Sequence, residues 1–418
     1  MSTLKSLCSK LEVLWWMGIL VSDFSYCDDF CGPHFRSPRE LIQCIELNSP
    51  RILRAKAIDQ ESIALPKQAH QWQNPTLNLQ TVYAAPDNPN GSNVEASILF
   101  PLDFSGVQKA RTKKAQLEVK ERHVLGLIER QEVLRLNYLS LHRIRQLNSR
   151  IEVLEETVRS LKSRVHDFQI RPSLTPEQIV SRETFTLAIQ DAQSRLSLLQ
   201  QECHALVHDI EIEINSVWSP NPQNLPKSPR AWPTLSQLSE LPDSPAKTRF
   251  SVMVQKEEAN ISVLRAEKRP VLSVGPFLGW SKLASTSGIQ AGLVLQMPLP
   301  IIESYSGSIE LADRGLVRVR ALFETGIRET QGEFNHNREI YEESIISLSR
   351  IESILTSKDR VKRVEKLFKR GLISSTSYLG ILQQDLLLRE VRDELESRAI
   401  NAWCILQGLQ NQFEECFL

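Results

Sequence analysis

The sequence predicts a mainly α-helical protein with a small β part, in which long antiparallel helical hairpins are each preceded by a pair of short strands. Apolar residues recur at alternating steps of three and four over long stretches, which is typical of paired helices. Four shorter runs alternate apolar and polar side chains, which is typical of two-faced strands. The same order of signals occurs twice within the 418 residues, which indicates a duplication.

The composition restricts the classes of function. The chain has 50 basic and 50 acidic residues, so it has no bulk charge with which to hold nucleic acid or an anionic lipid surface. Aromatic residues make up only 6% of the chain, which favours extended helices over a compact mixed core. The seven cysteines are scattered, and only Cys27 and Cys31 are close neighbours. We therefore expect neither a zinc site nor a disulfide framework.

The N-terminal segment has the layout of an export signal. Lys5 and Lys10 precede the apolar stretch 11–21, which is too short to span a bilayer. We predict a signal peptide at residues 1–26; the alternative is a buried N-terminal helix, since Glu12 interrupts the stretch. No other run reaches about 18 apolar residues, so no membrane-spanning helix is expected.

Two copies of one pattern, residues 38–217 and 243–412, share landmarks at near-equal spacing. The equivalent points are Pro50 and Pro245, Pro75 and Pro270, Gly106 and Gly307, and Arg171 and Arg370. The two prolines are 25 positions apart in both copies, and the glycine and arginine are 65 and 63 positions apart. Between the copies, residues 218–242 contain six prolines, which predicts a linker that lies over a surface.

The first copy contains two apolar seams that a short turn joins. The outgoing seam comprises Ile144, Leu147, Ile151, Leu154, Val158, Leu161 and Val165. The returning seam comprises Ile189, Ala192, Leu196, Leu199, Cys203, Leu206 and Ile210. In the turn, Thr175 is placed to cap the second helix, with Pro176 at its first position and Gln178 where a capping box needs it. These features predict an antiparallel helical hairpin.

The second copy repeats this plan less regularly. Its returning seam comprises Ile381, Leu388, Val391, Leu395, Ala402, Ile405 and Leu409. A helix of roughly 60 residues spans about 90 Å. A rod of this length has no globular core of its own, so its apolar stripe is expected to pack against other helices.

The alternating runs divide their side chains between an apolar and a polar face. In the second copy the apolar positions are Leu272, Val274, Leu278 and Trp280, then Ile289, Ala291, Leu293, Leu295 and Met297. In the first copy the apolar positions are Leu77, Leu79 and Tyr83, and the alternating polar positions are Thr76, Asn78 and Gln80. Such strands fit a barrel wall between lipid and water, or two hairpins with one face on a soluble core. Four strands cannot close a barrel, so the first interpretation needs several copies of the chain.

This organisation resembles the TolC-like outer-membrane efflux proteins over about residues 38–412. The most specific stretches resemble that family's second-copy strands, hairpin exit and periplasmic turn; they are AEKRPVLSVGPFLG, LQMPLPIIESYSGSIELA and LFKRGLISSTSYLGILQQDLLLRE. The resemblance implies a homotrimer in which three chains pool twelve strands into one transmembrane β-barrel, while their helices form a long α-barrel. It implies a passive exit duct in the cell outer membrane, with its helical part in the periplasm, that is not an enzyme and has no cofactor.

The resemblance also implies partners and sites. The expected partners are outer-membrane lipid, a periplasmic adaptor, and the inner-membrane pump of a tripartite efflux or type I secretion system. Adaptor docking at the helical turns implies roles for Arg171, Leu174 and Thr175 in the first copy and Arg370, Gly371, Leu372 and Ser374 in the second. The lipid-facing strand residues that it implies are Leu77, Leu79, Tyr83, Leu272, Val274, Leu293 and Leu295.

The chain departs from the family pattern in two places. Beyond the second turn the family often carries acidic residues that ring the closed end of the tube, whereas this candidate gate region has Ser377, Gly380 and a later Asp385. An acidic cation-binding ring is therefore not expected. Many members are acylated on an N-terminal cysteine; Cys27 is the candidate here, although Tyr26 is too bulky for a good lipidation motif.

Other functions find less support in the sequence. It contains no phosphate-binding glycine loop, nucleophile elbow or His-Glu-x-x-His stretch. His204 and His208 have no third ligand nearby in sequence, which favours polar residues beside the seam over a metal site. Arg318, Arg320 and the basic run 357–370 favour a solvated helix face over a nucleic-acid site. The remaining alternative is a soluble periplasmic coiled-coil adaptor or scaffold, although an adaptor is expected to have one hairpin rather than two.

Overall fold

The computed structural model describes residues 31, 35–83, 92–229, 231–235, 244–283, 286–298, 305–355 and 359–417. The predicted signal peptide at residues 1–26 and the candidate lipidation site Cys27 lie outside these ranges. Among the helices in these ranges, none is both long enough and apolar enough to cross a membrane.

The helices and strands follow the predicted order. They are α1 Pro38–Asn48, α2 Pro50–Ser62, α3 Leu65–Ala69, β1 Thr76–Tyr83, β2 Ser92–Leu102, α4 Val107–Gln169, α5 Pro176–Ile214, α6 Pro245–Glu267, β3 Leu272–Leu283, β4 Thr286–Gln296, α7 Ser306–Leu355, α8 Asp359–Lys369, α9 Ser375–Leu409 and a 3-10 turn Phe413–Cys416. The prediction of a mainly helical chain with four strands is confirmed.

The chain folds into two compact units. The unit that we call the sheet unit contains Lys56–Leu127 and Pro245–Thr330. The helical unit contains the described residues of Met1–Ala55, Ile128–Ser244 and Gln331–Leu418. Both units take segments from both predicted repeats, so the packing does not follow the repeat boundaries, which remain a prediction.

The sheet unit is built on one antiparallel sheet with the strand order β1-β2-β3-β4. The central pair, β2 with β3, joins the two predicted copies, with Val94 opposite Trp280 and Phe100 opposite Val274. In the helices of this unit the buried apolar side chains include Val107, Ala115, Leu117, Val124, Val252, Ala259, Ile261, Val263, Ala312 and Val319. Ion pairs of 2.5 Å from Lys256 to Glu121 and 2.9 Å from Arg320 to Glu258 link α6 to α4 and α7.

The core of the helical unit follows the predicted seams. The buried members are Ile144, Leu147, Leu154, Val158 and Leu161 in α4 and Ile189, Ala192, Leu199 and Ile210 in α5. The remaining members are half-buried against the same residues; they are Ile151, Val165, Leu196, Cys203 and Leu206. In α9 the pattern is looser, as predicted, since Ala402 is buried but the side chain of Val391 is 48% exposed.

A charged group lies within this core between α4, α9 and the linker. The Glu396 carboxylate accepts hydrogen bonds from Arg145 Nη2 at 2.7 Å, Gln146 Nε2 at 2.9 Å and Ser228 Oγ at 2.5 Å. Burial opposes ionisation of Glu396, but Arg145 and these donors outweigh it, so the pKa of Glu396 is lowered. One turn away, burial raises the pKa of Asp393, although Arg392 donates to it at 2.6 Å.

His142 is a second buried titratable group of this core. Its side chain is 0% exposed, and its ring centroid lies 4.7 Å from that of Tyr138. Burial, with the nearby charge of Arg145, lowers the pKa of His142 to about 3. The imidazole is therefore neutral at neutral pH.

The linker lies deeper than predicted. Its described residues, within 218–229 and 231–235, form no helix or strand, in agreement with the proline content. However, Trp218, Asn224 and Leu225 are only 2%, 1% and 5% exposed, and Tyr341 Oη donates to the carbonyl of Pro233 at 2.7 Å. The prediction that the linker lies over a surface is therefore wrong, because its apolar side chains pack into the core of the helical unit.

The expectation that the scattered cysteines do not form a disulfide framework is wrong. Cys31 is bonded to Cys44, and Cys404 to Cys416, with Cα–Cα distances of 5.7 and 4.7 Å. The partners are 13 and 12 positions apart in sequence, with one member of each pair outside a regular α-helix. The sequence contains no repeated cysteine spacing that indicates these two bonds.

Candidate functional site

The first predicted docking turn joins α4 to α5 within the helical unit. Thr175 Oγ1 accepts from the backbone N–H of Gln178 at 3.3 Å, and Gln178 Oε1 accepts from the N–H of Thr175 at 3.1 Å. This reciprocal pair is the predicted capping box, and Pro176 opens α5 as predicted. Arg171 is exposed, with its guanidinium carbon 5.5 Å from the centre of the Phe168 ring, and Leu174 is half-buried.

The second predicted docking turn joins α8 to α9. Gly371 has φ +70°, the left-handed conformation for which glycine was predicted. The Ser374 hydroxyl accepts from the N–H of Ser377 at 3.2 Å and so caps α9. Arg370 is exposed, and the side chain of Leu372 is 65% exposed. Most of this large apolar side chain is therefore in contact with solvent.

An aromatic cluster, Phe168, Phe185, Phe368 and Tyr378, joins the two turns. Each of α4, α5, α8 and α9 contributes one ring. Phe185 is 0% exposed, and its centroid lies 6.2 Å from Phe168, 5.6 Å from Phe368 and 6.4 Å from Tyr378. This cluster was not predicted, although phenylalanine precedes the landmark arginine by three positions in one copy and by two in the other.

Polar contacts also connect the two hairpins at this end. Arg164 Nη2 lies 2.7 Å from Glu365 Oε1, and Ser375 Oγ lies 3.1 Å from Ser181 Oγ. A hydrogen bond from Lys369, opposed by burial and helped by Arg164, lowers the pKa of Glu365. The two predicted turns thus form one surface, with a groove lined by Arg171 from the first turn and by Gly371, Leu372 and Ser374 from the second.

The candidate gate residues follow the second turn along α9. Ser377 is exposed next to the cap, and Gly380 has open space around its Cα. Asp385 accepts from Arg389 Nε at 2.8 Å, one helical turn further along. Asp385 is therefore paired within its own helix rather than presented as a free acidic group.

One face of the sheet is apolar across all four strands. The register aligns Leu77 with Ile98, Leu79 with Ala96, Ala96 with Leu278, Leu278 with Ala291, Val274 with Leu295 and Pro276 with Leu293. Leu77, Leu79, Leu293 and Leu295 are 61%, 71%, 76% and 70% exposed. Leu272 and Val274 share this face but are half-buried, and the side chain of Tyr83 lies outside the described part.

The opposite face is mostly polar. Asn78 lies opposite Ser97, Gln80 opposite Glu95, and Ser273 opposite Gln296. Phe277 is an exception: its ring covers the backbone of Gly292, where an added Cβ would lie 2.4 Å from the ring. Among the described strands, β1 and β4 each have one paired neighbour, so the sheet has two open edges.

The described residues contain no cluster of three His, Cys, Asp or Glu side chains that is suited to a metal ion. His204 and His208 are both exposed on α5, and the nearest acid to His208 is Glu211 at 3.8 Å. Arg318 and Arg320 are exposed on α7. The basic side chains of this helix thus face solvent, as the sequence analysis favoured.

Solved structures of other proteins identify the fold of the chain. The sequence matches no protein-family model and no curated protein. In structure, the chain is similar to the outer membrane protein VceC of Vibrio cholerae, with TM-score 0.70, 14% identity, and coverage of 90% of this chain and 96% of VceC. The chain has the TolC-like fold.

Further solved structures share this TolC-like fold. The outer-membrane channel OprN matches with TM-score 0.74 and 12% identity, over 92% of this chain and 95% of OprN. The outer membrane channel CmeC of Campylobacter jejuni matches with TM-score 0.67 and 11% identity, over 90% of this chain and 86% of CmeC. At these identities the likeness establishes the TolC-like fold along almost the full length of each chain, and it does not reach individual side chains.

Proposed function

We propose that the protein is the outer-membrane exit duct of a tripartite efflux pump or type I secretion system. It is a passive conduit from the periplasm to the exterior and carries out no reaction. The sheet lies in the outer membrane, and the helical part lies in the periplasm.

The observation that carries this proposal is the exposed apolar face of the sheet. Leucines that are 61–76% exposed on β1 and β4 belong to one continuous face, and mostly polar residues occupy the other. A soluble adaptor or scaffold would bury such a face against its own core. A barrel wall between lipid and water places the apolar face against lipid and the polar face against water. The residues that face lipid are then Leu77, Leu79, Tyr83, Leu272, Val274, Leu293 and Leu295.

Closure of the wall requires several chains. A transmembrane barrel needs at least about eight strands, and one chain supplies a sheet of four with two open edges. Three copies supply twelve strands, the number that the TolC-like resemblance implies, so we propose a homotrimer. Pairing of β1 with β4 of the next copy removes every open edge.

The two helical turns are the proposed docking site for a periplasmic adaptor, which links the duct to an inner-membrane pump. Both the exposed side chain of Leu372 and Arg171 line the groove that the two turns share. A partner with apolar side chains and an acidic group complements this surface. The candidate gate residues Ser377, Gly380 and Asp385 follow the second turn along α9. The proposed docking site is therefore adjacent to the part of the duct that is proposed to open.

Membrane fractionation and unheated gel electrophoresis test the proposal together. We expect the full chain in the outer-membrane fraction, as a trimer that dissociates to monomer only on heating. A monomer in the soluble fraction, with the sheet face protected from a membrane-soluble label, would contradict the exit duct and favour the adaptor or scaffold.

A further inference from the structure

Two cysteine pairs lie in one hydrophobic cluster of the helical unit. Cys44, Cys404 and Cys416 are each 0% exposed, and Cys31 is half-buried against the same cluster. The cluster includes Tyr138, with the Phe417 ring 5.1 Å from it. The two pairs therefore converge on one part of the core although they come from opposite ends of the sequence.

Each pair joins a cysteine within an α-helix to a cysteine outside it. Cys31 precedes α1 and is bonded to a residue within α1. Cys416 ends the 3-10 turn and is bonded to a residue within α9. Both Cα–Cα distances, 5.7 and 4.7 Å, fall in the range of about 4.4–6.8 Å that disulfides need.

The fifth described cysteine packs against the same hydrophobic cluster but is not bonded. Cys203 is the one unpaired cysteine among the described residues, and it lies half-buried on α5. Burial, together with the charge of Glu202, raises the pKa of the Cys203 thiol. Since the thiolate is the attacking species in disulfide exchange, this thiol is a poor competitor for the two pairs.

We propose that the protein is a substrate of a dithiol–disulfide oxidant in the compartment where it folds, and that this oxidant forms Cys31–Cys44 and Cys404–Cys416. For each pair, one cysteine thiolate attacks the disulfide of the oxidant and forms a mixed disulfide. The second cysteine then attacks that mixed disulfide, which leaves the protein disulfide and the reduced dithiol. Each pair loses two electrons and two protons, and the oxidant gains them.

Burial sets the order of events. Three of the four sulfurs are inaccessible in the folded core, so the oxidant reaches them before the terminal segments pack. This inference rests on one part of the proposed function, namely that the chain folds outside the reducing cytosol. Disulfides persist in such oxidising compartments. It does not depend on channel activity.

The test counts thiols in the full-length protein with a maleimide mass tag, after acid quenching and denaturation, with and without reductant. We expect four more tags after reduction. Cys404→Ser exposes its partner and should add one tag to the unreduced count, whereas the matched control Cys203→Ser should remove one tag from both counts. In cells that lack the dithiol–disulfide oxidant, the number of tags without reductant should rise by four. Equal counts with and without reductant overturn the proposal.

The outcomes separate this inference from the exit duct. An outer-membrane trimer in which all cysteines are free thiols overturns the oxidation and leaves the duct. A soluble monomer with both pairs oxidised supports the oxidation and contradicts the duct.

Discussion

The Glu396 carboxylate on α9 lies 2.7 Å from the Arg145 guanidinium on α4, and the Glu396 side chain is only 3% exposed. This contact ties the long helix of the first copy to the returning helix of the second. The linker between the copies joins it through Ser228. Three separate segments therefore depend on one buried carboxylate.

We predict that Glu396→Ala strongly destabilises the helical unit. The change leaves Arg145 charged in the core without its partner, which typically costs about 3–5 kcal/mol. The matched control is Glu394→Ala, which removes an ion pair to Arg398 whose side chains are 57% and 62% exposed. Exposed helix pairs of this kind contribute about 0.3–0.5 kcal/mol. Urea unfolding of the purified protein measures both, and equal losses would contradict the role of burial.

We predict that stability falls as the pH falls below about 6.5, in part because of His142. Burial lowers the pKa of folded His142 from 6.5 to about 3, so between these values the unfolded chain binds a proton that the folded chain does not. At pH 5 this lowers the free energy of unfolding by about 2 kcal/mol. His142→Phe should flatten the dependence between pH 7 and pH 5. The matched control His204→Gln, at an exposed histidine, should leave the pH dependence of the unfolding free energy steep. An unchanged dependence in His142→Phe would refute the role of His142.

We predict opposite effects of alanine at two glycines near the second turn. Gly371 has φ +70°, so Gly371→Ala forces a side chain into the left-handed region at a cost of about 1–2 kcal/mol. Gly380 lies inside α9, and an added Cβ would have no atom within 4 Å apart from its own stretch of helix, so Gly380→Ala should stabilise by about 0.5–1 kcal/mol. Thermal unfolding midpoints should move in opposite directions. Two shifts of the same sign would show that the turn geometry differs from the one described.

We predict that the two faces of β1 respond differently to arginine. Leu79 is 71% exposed on the apolar face, and a charge there at the middle of the bilayer costs about 2–4 kcal/mol. Gln80, the next residue, lies on the polar face, where the arginine side chain of Gln80→Arg remains in water. The amount of heat-sensitive trimer in the outer membrane measures both changes. Equal assembly of Leu79→Arg and Gln80→Arg would contradict the proposed orientation.

We predict that Arg370→Glu and Leu372→Asp impair export but leave trimer assembly intact. Both side chains are exposed at the second turn, where the proposed adaptor binds. The matched control is Arg398→Glu, which reverses an exposed charge on the same unit away from the turns. Export of cargo by intact cells, and co-purification of the adaptor, are the measurements. Normal export by the turn variants would remove the docking assignment.

Local and periodic features were predictable from the sequence. The capping box at Thr175 and Gln178 and the left-handed Gly371 depend on a few neighbouring residues, so their chemistry determines them. The seams and the two-faced strands depend on periods of 3.5 and 2, which the sequence displays directly. These features define the elements and their order.

Contacts between distant segments were not predictable. The four-ring cluster around Phe185 needs one side chain from each of four helices, and the Glu396 site needs two helices and the linker. The disulfides likewise join residues within α1 and α9 to cysteines outside these helices. Side chains of this kind become neighbours only after the helices have packed, so no spacing in the sequence indicates them.

The order of the strands has a consequence for symmetry. The outer strands β1 and β4 come from different predicted copies, and neighbouring strands run in opposite directions. Contact between β1 of one chain and β4 of another is therefore heterologous, whereas a dimer formed by β1 against β1, or by β4 against β4, satisfies only one edge of each sheet. Such head-to-tail addition ends only when the rotation per chain brings the last subunit back to the first. The curvature of each ribbon, rather than any single contact, then sets the number of subunits.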